Sequence, residues 1–186
     1  MTHAEQLRAL LLDRSVRRGD FLLASGRRSD YYVDARRTTM SGAGQELIGQ
    51  LALERLRVRG WHPAAIGGLT LGADPVAYAV AASAHRSGLV LDAFTVRKAP
   101  KPHGAGGRIE GCFAAGADVV IAEDVITTGQ SALAAIRAVE EAGGRVVGVL
   151  AVVDREEGGR GALEAAGYPV EVLVAARDLG IAGNPG

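Results

Sequence analysis

The chain has few aromatic residues, a single cysteine and little lysine. Aromatic residues make up 4% of its 186 residues and apolar residues 48%, so aliphatic side chains must form most of the core. The lone Cys112 excludes an intramolecular disulfide and a cysteine metal cluster, and its expected role is a buried structural thiol. The four histidines show no spacing typical of metal ligands. The composition therefore predicts neither a disulfide scaffold nor a zinc protein.

Long hydrophobic runs and an excess of charge are also missing. No apolar run approaches the roughly 20 residues of a transmembrane helix, and the first residues lack the apolar segment of a secretory signal. The 21 basic and 21 acidic residues give a net charge of zero, which argues against a nucleic-acid binder with a broad basic surface. These absences predict a cytoplasmic protein, and the length fits a single domain over residues 1–186.

Hydrophobic periodicity predicts strands that alternate with helices. The predicted elements are a helix from His3 to about Arg17, two short strands between Phe21 and Asp34, a helix from Ser41 to near Gly60, a strand at 64–67, a helix from Asp74 to about Ser87, a strand at 89–96, a strand ending at Ala122, a helix at 131–142, a strand at 146–153, a short helix near 162–166 and a strand near 170–174. This order is typical of an α/β fold with a parallel sheet flanked by helices. Residues from 1 to about 40 break the alternation and are expected to form a small N-terminal hood.

Loops follow four of the predicted strands, after Gly67, Val96, Ala122 and Val153. The carboxyl ends of parallel strands meet at one edge of a sheet, and ligands of open α/β sheets bind there. The sequence therefore predicts an active site at this edge, with the hood above it.

The segment 119–131 carries the strongest chemical signal. An apolar run leads into Glu123 and Asp124 and then through a Thr/Gly/Ser turn into a predicted helix. Paired carboxylates can accept hydrogen bonds from vicinal ribose hydroxyls, and turn amides at a helix N-terminus can bind phosphate. The segment has neither a Walker sequence nor a dinucleotide fingerprint. It predicts a site for a phosphorylated sugar.

A second signal is the irregular loop at 97–108. It holds four fixed cations, one histidine and no acid, namely Arg97, Lys98, Lys101, Arg108 and His103, and its two lysines are the only ones in the chain. Prolines stiffen its first half and glycines loosen its second half. Such a loop can close over a polyanion such as diphosphate and later release it.

Together these segments resemble a known family. The acidic segment resembles the 5-phosphoribosyl 1-diphosphate (PRPP) binding motif of type I phosphoribosyltransferases, and the cationic loop is similar to the mobile catalytic loop of orotate phosphoribosyltransferases. Further similar segments are Ser25-Gly26-Arg27, Tyr31-Tyr32, Gly67–Pro75, Ile109-Glu110-Gly111 and Asp154-Arg155. The resemblance extends from about Phe21 to Arg155.

The resemblance implies an activity, a metal and an assembly. Orotate and PRPP would give orotidine 5′-monophosphate and diphosphate, in pyrimidine biosynthesis. Mg²⁺ would be held mainly through PRPP, without a dedicated protein ligand. The enzyme would be a homodimer in which the catalytic loop reaches into the neighbouring subunit's site.

The resemblance also implies roles for single residues. Diphosphate would be bound by Arg97, Lys98, Lys101 and His103, the ribose hydroxyls by Glu123 and Asp124, the 5′-phosphate by Val125, Ile126, Thr127, Thr128, Gly129, Gln130 and Ser131, and orotate by Thr127 and Arg155. The four loop residues and Asp124 would be the catalytic group. An arginine suits orotate, because it can pair with the carboxylate of the base through two hydrogen bonds.

Two departures from the family pattern leave the identity of the substrate base undecided. Members of the family often have lysine where this chain has Ala24, and some have lysine in the diphosphate-side loop where this chain has Leu71. Contacts would then be redistributed, for example to Arg27 or Arg28, or affinity for a ligand altered. A purine phosphoribosyltransferase and a non-catalytic PRPP-sensing regulator are the alternative functions.

Overall fold

The computed structural model describes residues 1–22, 28–99 and 107–181. Its elements are α1 (His3–Arg14), β1 (Val16–Leu22), β2 (Arg28–Val33), α2 (Arg36–Thr39), α3 (Gly42–Val58), β3 (Ala65–Leu69), α4 (Ala73–Arg86), β4 (Asp92–Val96), β5 (Ile109–Gly111), β6 (Asp118–Ile126), α5 (Gln130–Glu141), β7 (Arg145–Asp154), α6 (Gly159–Ala165) and β8 (Val170–Ala175), followed by a 3₁₀ turn at Ala176–Leu179.

The main sheet has six strands in the order β5-β4-β3-β6-β7-β8. Strands β4, β3, β6, β7 and β8 run parallel to one another, and helices lie between them in the chain. This confirms the predicted α/β class. The edge strand β5 was not predicted, and it runs antiparallel to β4. Three residues are too few for a periodic pattern, so only the pairing with Phe94–Val96 defines this strand.

The sheet buries both of its faces, which explains why its central strand is continuously apolar. Successive side chains of a strand point to opposite faces. Along β6, Val120 and Ala122 accordingly pack with residues of α1, α3 and α4, while Val119 and Ile121 pack with residues of α5 and α6. All four side chains are fully buried.

The N-terminal residues combine a core helix with a hairpin. Leu7 and Leu11 of α1 are fully buried in the same cluster as α3 and α4, so α1 belongs to the main core. Strands β1 and β2 form a separate antiparallel sheet. The helix ends at Arg14, earlier than predicted, because Val16 already pairs with Val33 in this hairpin. A contact between positions so far apart in sequence overrides the helical period.

Two further sequence predictions meet different outcomes. Ser41 caps α3 as expected, since its side-chain oxygen accepts a hydrogen bond from the Gly44 amide at 3.1 Å. The prediction of a buried Cys112 is wrong, because the residue directly follows the edge strand β5 and is exposed.

Within the described ranges no helix is long and apolar enough to span a membrane.

Candidate active site

The acid pair lies inside strand β6, two residues before its end, and not in the turn that follows. Glu123 is buried and Asp124 is partly buried, and Glu123 pairs in register with Ala151 of β7. Because β6 lies in the middle of the sheet, pairing with its neighbours fixes the backbone at Glu123 and Asp124. The carboxyl groups therefore have a fixed place at the carboxyl-end edge of the sheet.

Burial controls the charge of this pair. Desolvation, with a smaller contribution from neighbouring Asp124, raises the pKa of Glu123 to about 8. Burial also raises the pKa of Asp124, opposed by the Val125 amide that donates to its carboxylate at 2.9 Å, by Glu123 and by Arg36. At neutral pH Glu123 thus keeps its proton, so the pair carries about one negative charge.

Both acids line a cavity of about 230 Å³. Its walls come from the hood, the loop after β3, the start of the cationic loop, β6 and the first turn of α5. The lining residues are Arg36, Leu69, Thr70, Leu71, Gly72, Lys98, Glu123, Asp124 and Ser131. The structure thus brings Lys98, Ser131 and the acid pair together, as the sequence predicts.

Glycines let the loop after β3 approach β6. A Cβ atom on Gly72 would lie 2.6 to 2.7 Å from the carboxylate atoms of Asp124, and a Cβ atom on Gly68 would lie 2.2 Å from the Ala122 carbonyl oxygen. No larger residue fits at either position without a shift. These contacts set the distance between the Thr70–Gly72 segment and Asp124.

The turn that follows β6 presents a helix N-terminus. Gly129 adopts a left-handed φ of 79° as the N-cap of α5, and no side chain caps the helix there. The first amides of α5 are therefore available to an anion. The Thr127 carbonyl accepts a hydrogen bond from the Gly159 amide at 2.9 Å, which anchors the turn to α6. Ile126, predicted as part of the phosphate loop, lies in β6 with its side chain buried in the core.

The two ends of the cationic loop lie side by side. The Arg97 amide donates to the Arg108 carbonyl at 2.7 Å, and the Arg97 guanidinium donates to Glu110 of β5 at 2.9 Å. Strands β4 and β5 thus clamp the base of the loop. Lys101 and His103 lie outside the described residues.

Arg155 follows β7 and is not part of the described cavity lining. Its guanidinium pairs with Glu157 at 2.8 Å, and the two side chains are only 11% and 10% exposed. It also stacks over the Tyr31 ring at 5.2 Å from the ring centroid, and the Tyr31 hydroxyl lies 3.4 Å from its terminal nitrogen. Its Nε atom is buried and finds no hydrogen-bond partner among the residues that the structure describes. The hood thus contacts the predicted base-binding arginine through Tyr31.

Two residues of the site were not predicted from the sequence. Arg36 lines the cavity from the short helix α2, and Gly159 packs against the phosphate turn, where a Cβ atom would lie 2.4 Å from the Thr127 carbonyl oxygen. Neither residue belongs to a motif. Arg36 is followed by a second arginine, and nothing in the sequence distinguishes the two.

The donor set of the cavity fits Mg²⁺ only together with a ligand. Within the described ranges no group of three or more histidine, cysteine or acidic side chains is placed to hold a metal ion. Mg²⁺ is often bound by one or two carboxylates plus substrate phosphate oxygens. The partly buried Asp124 carboxylate offers one such oxygen donor beside the cavity.

Comparisons with known proteins give a consistent result, although no protein-family model matches the chain. The orotate phosphoribosyltransferase of Mycobacterium avium (strain 104) is 48% identical over 177 residues, which cover 95% of this chain and 96% of that protein. The enzyme of the same name from Aquifex aeolicus (strain VF5) is 45% identical over 182 residues, which cover 96% of this chain and 98% of that protein. The crystal structure of Mycobacterium tuberculosis H37Rv orotate phosphoribosyltransferase in complex with PRPP has a TM-score of 0.83 at 42% identity, and the match covers 97% of this chain and all of that one (100%). The predicted resemblance is confirmed: the chain belongs to the orotate phosphoribosyltransferase family.

Proposed function

We propose that this chain transfers the 5-phosphoribosyl group from PRPP to orotate, giving orotidine 5′-monophosphate and diphosphate. One observation carries the proposal beyond the family assignment. The acid pair, Lys98 and the first turn of α5 border one cavity, so groups suited to a ribose, a diphosphate and a phosphate face the same space.

The sugar phosphate is held by β6 and α5. Asp124 and Glu123 bind the ribose hydroxyls, and because Glu123 is protonated it donates a hydrogen bond as well as accepting one. The 5′-phosphate is bound by the turn at Thr127–Gly129 and by the amides of α5, supported by the hydroxyl of Ser131. Val125 and Ile126 contribute only main-chain groups, since they belong to the strand.

Catalysis follows from the charges that develop in the transition state. The bond between C1′ and the diphosphate oxygen breaks and its electron pair leaves with diphosphate. The orotate ring nitrogen forms the new bond to C1′ and loses its proton, which the departing diphosphate can accept. The Asp124 carboxylate stabilises the positive character of the ribose, while Arg97, Lys98, Lys101 and His103 stabilise the departing charge. When bound, Mg²⁺ neutralises negative charge on the diphosphate. Closure of the 97–108 loop excludes water that would hydrolyse the activated sugar.

The base is recognised at the end of β7. Arg155 pairs with the carboxylate of orotate, and Thr127 contacts the ring. The contacts of Arg155 with Tyr31 and Glu157 support this role, because they fix a guanidinium that would otherwise sample many rotamers. An acidic pyrimidine suits a fixed arginine better than a neutral purine does.

The assembly, the metal and the location follow the family pattern. We infer that the protein is a cytoplasmic homodimer that requires Mg²⁺, with the catalytic loop of one subunit entering the site of its partner. Sedimentation analysis tests whether the protein is a dimer. Omission of Mg²⁺ from the reaction tests whether the metal is required.

The test of the function uses purified protein, PRPP, Mg²⁺ and orotate, and follows the loss of orotate absorbance. A parallel panel of purine bases separates the alternative transferase function. Asp124→Asn is expected to lower kcat by roughly 100-fold, the effect typical of losing one electrostatic contact to a transition state. Asp118→Asn is the matched control, because this acid lies at the other end of β6 and pairs with Arg145. Failure of the wild-type protein to consume orotate, or equal activity of the two variants, would refute the proposed mechanism.

A further inference from the structure

Arg36 lies in the cavity without any role assigned by the sequence motifs. It is the first residue of α2, in the N-terminal hood, and it borders the same space as Lys98 and the acid pair. Burial raises the pKa of Asp124, and the charge of Arg36 is one of the groups that oppose this rise. Arg36 and Asp124 therefore border the same space in which the substrate must bind.

The charge balance of the cavity requires more than one cation. PRPP carries a diphosphate and a phosphate, and it must bind next to an acid pair with about one negative charge. Among the described lining residues, Arg36 and Lys98 are the two fixed cations. Leu71 of the loop after β3 also lines the cavity, and its apolar side chain is 58% exposed. The loop after β3 thus contributes no charge of its own to the described lining.

The hydrogen bond of Arg36 uses its Nε atom and leaves its two terminal nitrogens available to a ligand. Its Nε atom donates to the Asp34 carboxylate at 2.9 Å, and within the described part of the chain this is the hydrogen bond that the guanidinium makes. The bond to Asp34 raises the pKa of the guanidinium, which stays charged. Within the described residues the terminal nitrogens make no hydrogen bond, and they can donate to phosphate oxygens in the paired geometry that arginine favours.

We propose that Arg36 is a diphosphate-binding residue, supplied by the hood in place of the cation that the loop after β3 lacks. This inference rests on the proposed function, because it assigns a ligand group within the same cavity. It also gives the hood a chemical role. Through Arg36 the hood places a positively charged group at the wall of the cavity.

The experiment compares Arg36→Ala with its matched control Arg37→Ala. Arg37 is the next residue of α2, is exposed, and is not part of the cavity lining. In calorimetric titrations with Mg²⁺ and either PRPP or diphosphate, Arg36→Ala should bind roughly 10- to 100-fold more weakly, the range of charge-assisted hydrogen bonds. Arg37→Ala should stay within about twofold of the wild type. In turnover assays the KM for PRPP should rise in Arg36→Ala while the KM for orotate stays within about twofold.

Further variants separate binding from a structural role. Arg36→Gln retains a donor for Asp34 without charge and should show the loss, whereas Arg36→Lys should recover part of the binding, even if Arg36→Ala fails to fold. Asp34→Asn removes the ion pair but not the guanidinium, so it should bind diphosphate more tightly than Arg36→Ala. Wild-type binding in Arg36→Gln, or equal losses in Asp34→Asn and Arg36→Ala, would overturn the inference. The titrations need no turnover, so loss of binding without any conversion of orotate would refute the proposed function and leave this inference standing.

Discussion

The protonation of Glu123 makes the stability of the protein depend on pH. Its pKa is about 8 in the folded chain and near the ordinary value of 4.5 when the chain is unfolded. Below pH 4.5 the group is protonated in both states. Between these pKa values the folded chain binds more protons, so its free energy of unfolding falls as pH rises, by at most about 1.4 kcal/mol per pH unit. The stabilising contribution is present at low pH and lost as pH rises through about 8.

We therefore expect Glu123→Gln to remove this dependence. Glutamine has nearly the shape of the protonated acid and stays uncharged across this pH range. Urea unfolding at about pH 5 should give similar stabilities for the variant and the wild type, and by about pH 8 the variant should be the more stable by about 1 kcal/mol or more. A stability difference that stays constant across this pH range would contradict a neutral Glu123.

Single residues of the site differ in how far the sequence could identify them. Glu123, Asp124 and Lys98 were predicted because their types and spacing form motifs, and the structure places them on one cavity. Arg36 was missed because its identity is not distinctive, and only the packing of the hood selects it over Arg37. Lys101 and His103 remain predictions from the resemblance.

Among the secondary-structure elements, the turn between β6 and α5 depends on a glycine. Gly129 has a left-handed φ of 79°, and a Cβ atom there would lie 3.0 Å from the Gly159 carbonyl oxygen. Both the backbone conformation and the contact with α6 resist a larger residue. The elements that flank the phosphate turn are therefore coupled through this position.

Gly129→Ala is expected to destabilise the protein by about 1 to 2 kcal/mol and to raise the KM for PRPP. Gly161→Ala is the control, because Gly161 lies inside α6 and a Cβ atom there would meet nothing within 4 Å beyond its own helix. That substitution should be neutral or stabilising by up to about 1 kcal/mol. Thermal unfolding and PRPP kinetics of the two variants check the expectation, and an unchanged Gly129→Ala would show that the turn tolerates other conformations.

Element boundaries show which sequence signals were reliable. Helix α3 was predicted well, since Ser41 caps it and Gly60 follows its end. Strand β6 extends through the acids to Ile126, because pairing with β7 continues to Asp154 whatever the polarity of the side chains. Strand pairing also explains the early end of α1, because Val16 pairs with Val33 two residues after the helix ends. Long-range hydrogen bonds decided these ends, and they leave no local pattern.

At the scale of the whole molecule, the chain should unfold as one cooperative unit. The N-terminal helix α1 is buried in the same core as α3 and α4, so residues 1–40 are not a separate domain in this respect. Trp61, the single tryptophan, packs from the segment after α3 against Gly148 of β7, where a Cβ atom would lie 2.2 Å from the indole. Its fluorescence therefore reports contact between the N-terminal half and the sheet.

We predict that tryptophan fluorescence and far-ultraviolet circular dichroism give the same urea midpoint. Coincident transitions are the test of two-state unfolding. A saturating concentration of PRPP with Mg²⁺ provides a control, because ligand binding should move both midpoints upward together. Two separate transitions would instead indicate that the N-terminal residues unfold independently.

The amino-acid sequence alone determined the α/β class, the carboxyl-end location of the site and the family, because periodicity and contiguous motifs are local properties of the chain. The tertiary structure decided which groups share a cavity, since Arg36, Lys98 and Asp124 are far apart in sequence and meet only through packing. It also decided the protonation of Glu123, because the pKa of a carboxyl group depends on the water excluded by its neighbours. Burial and long-range contact are properties of the folded chain, and no single position reveals them.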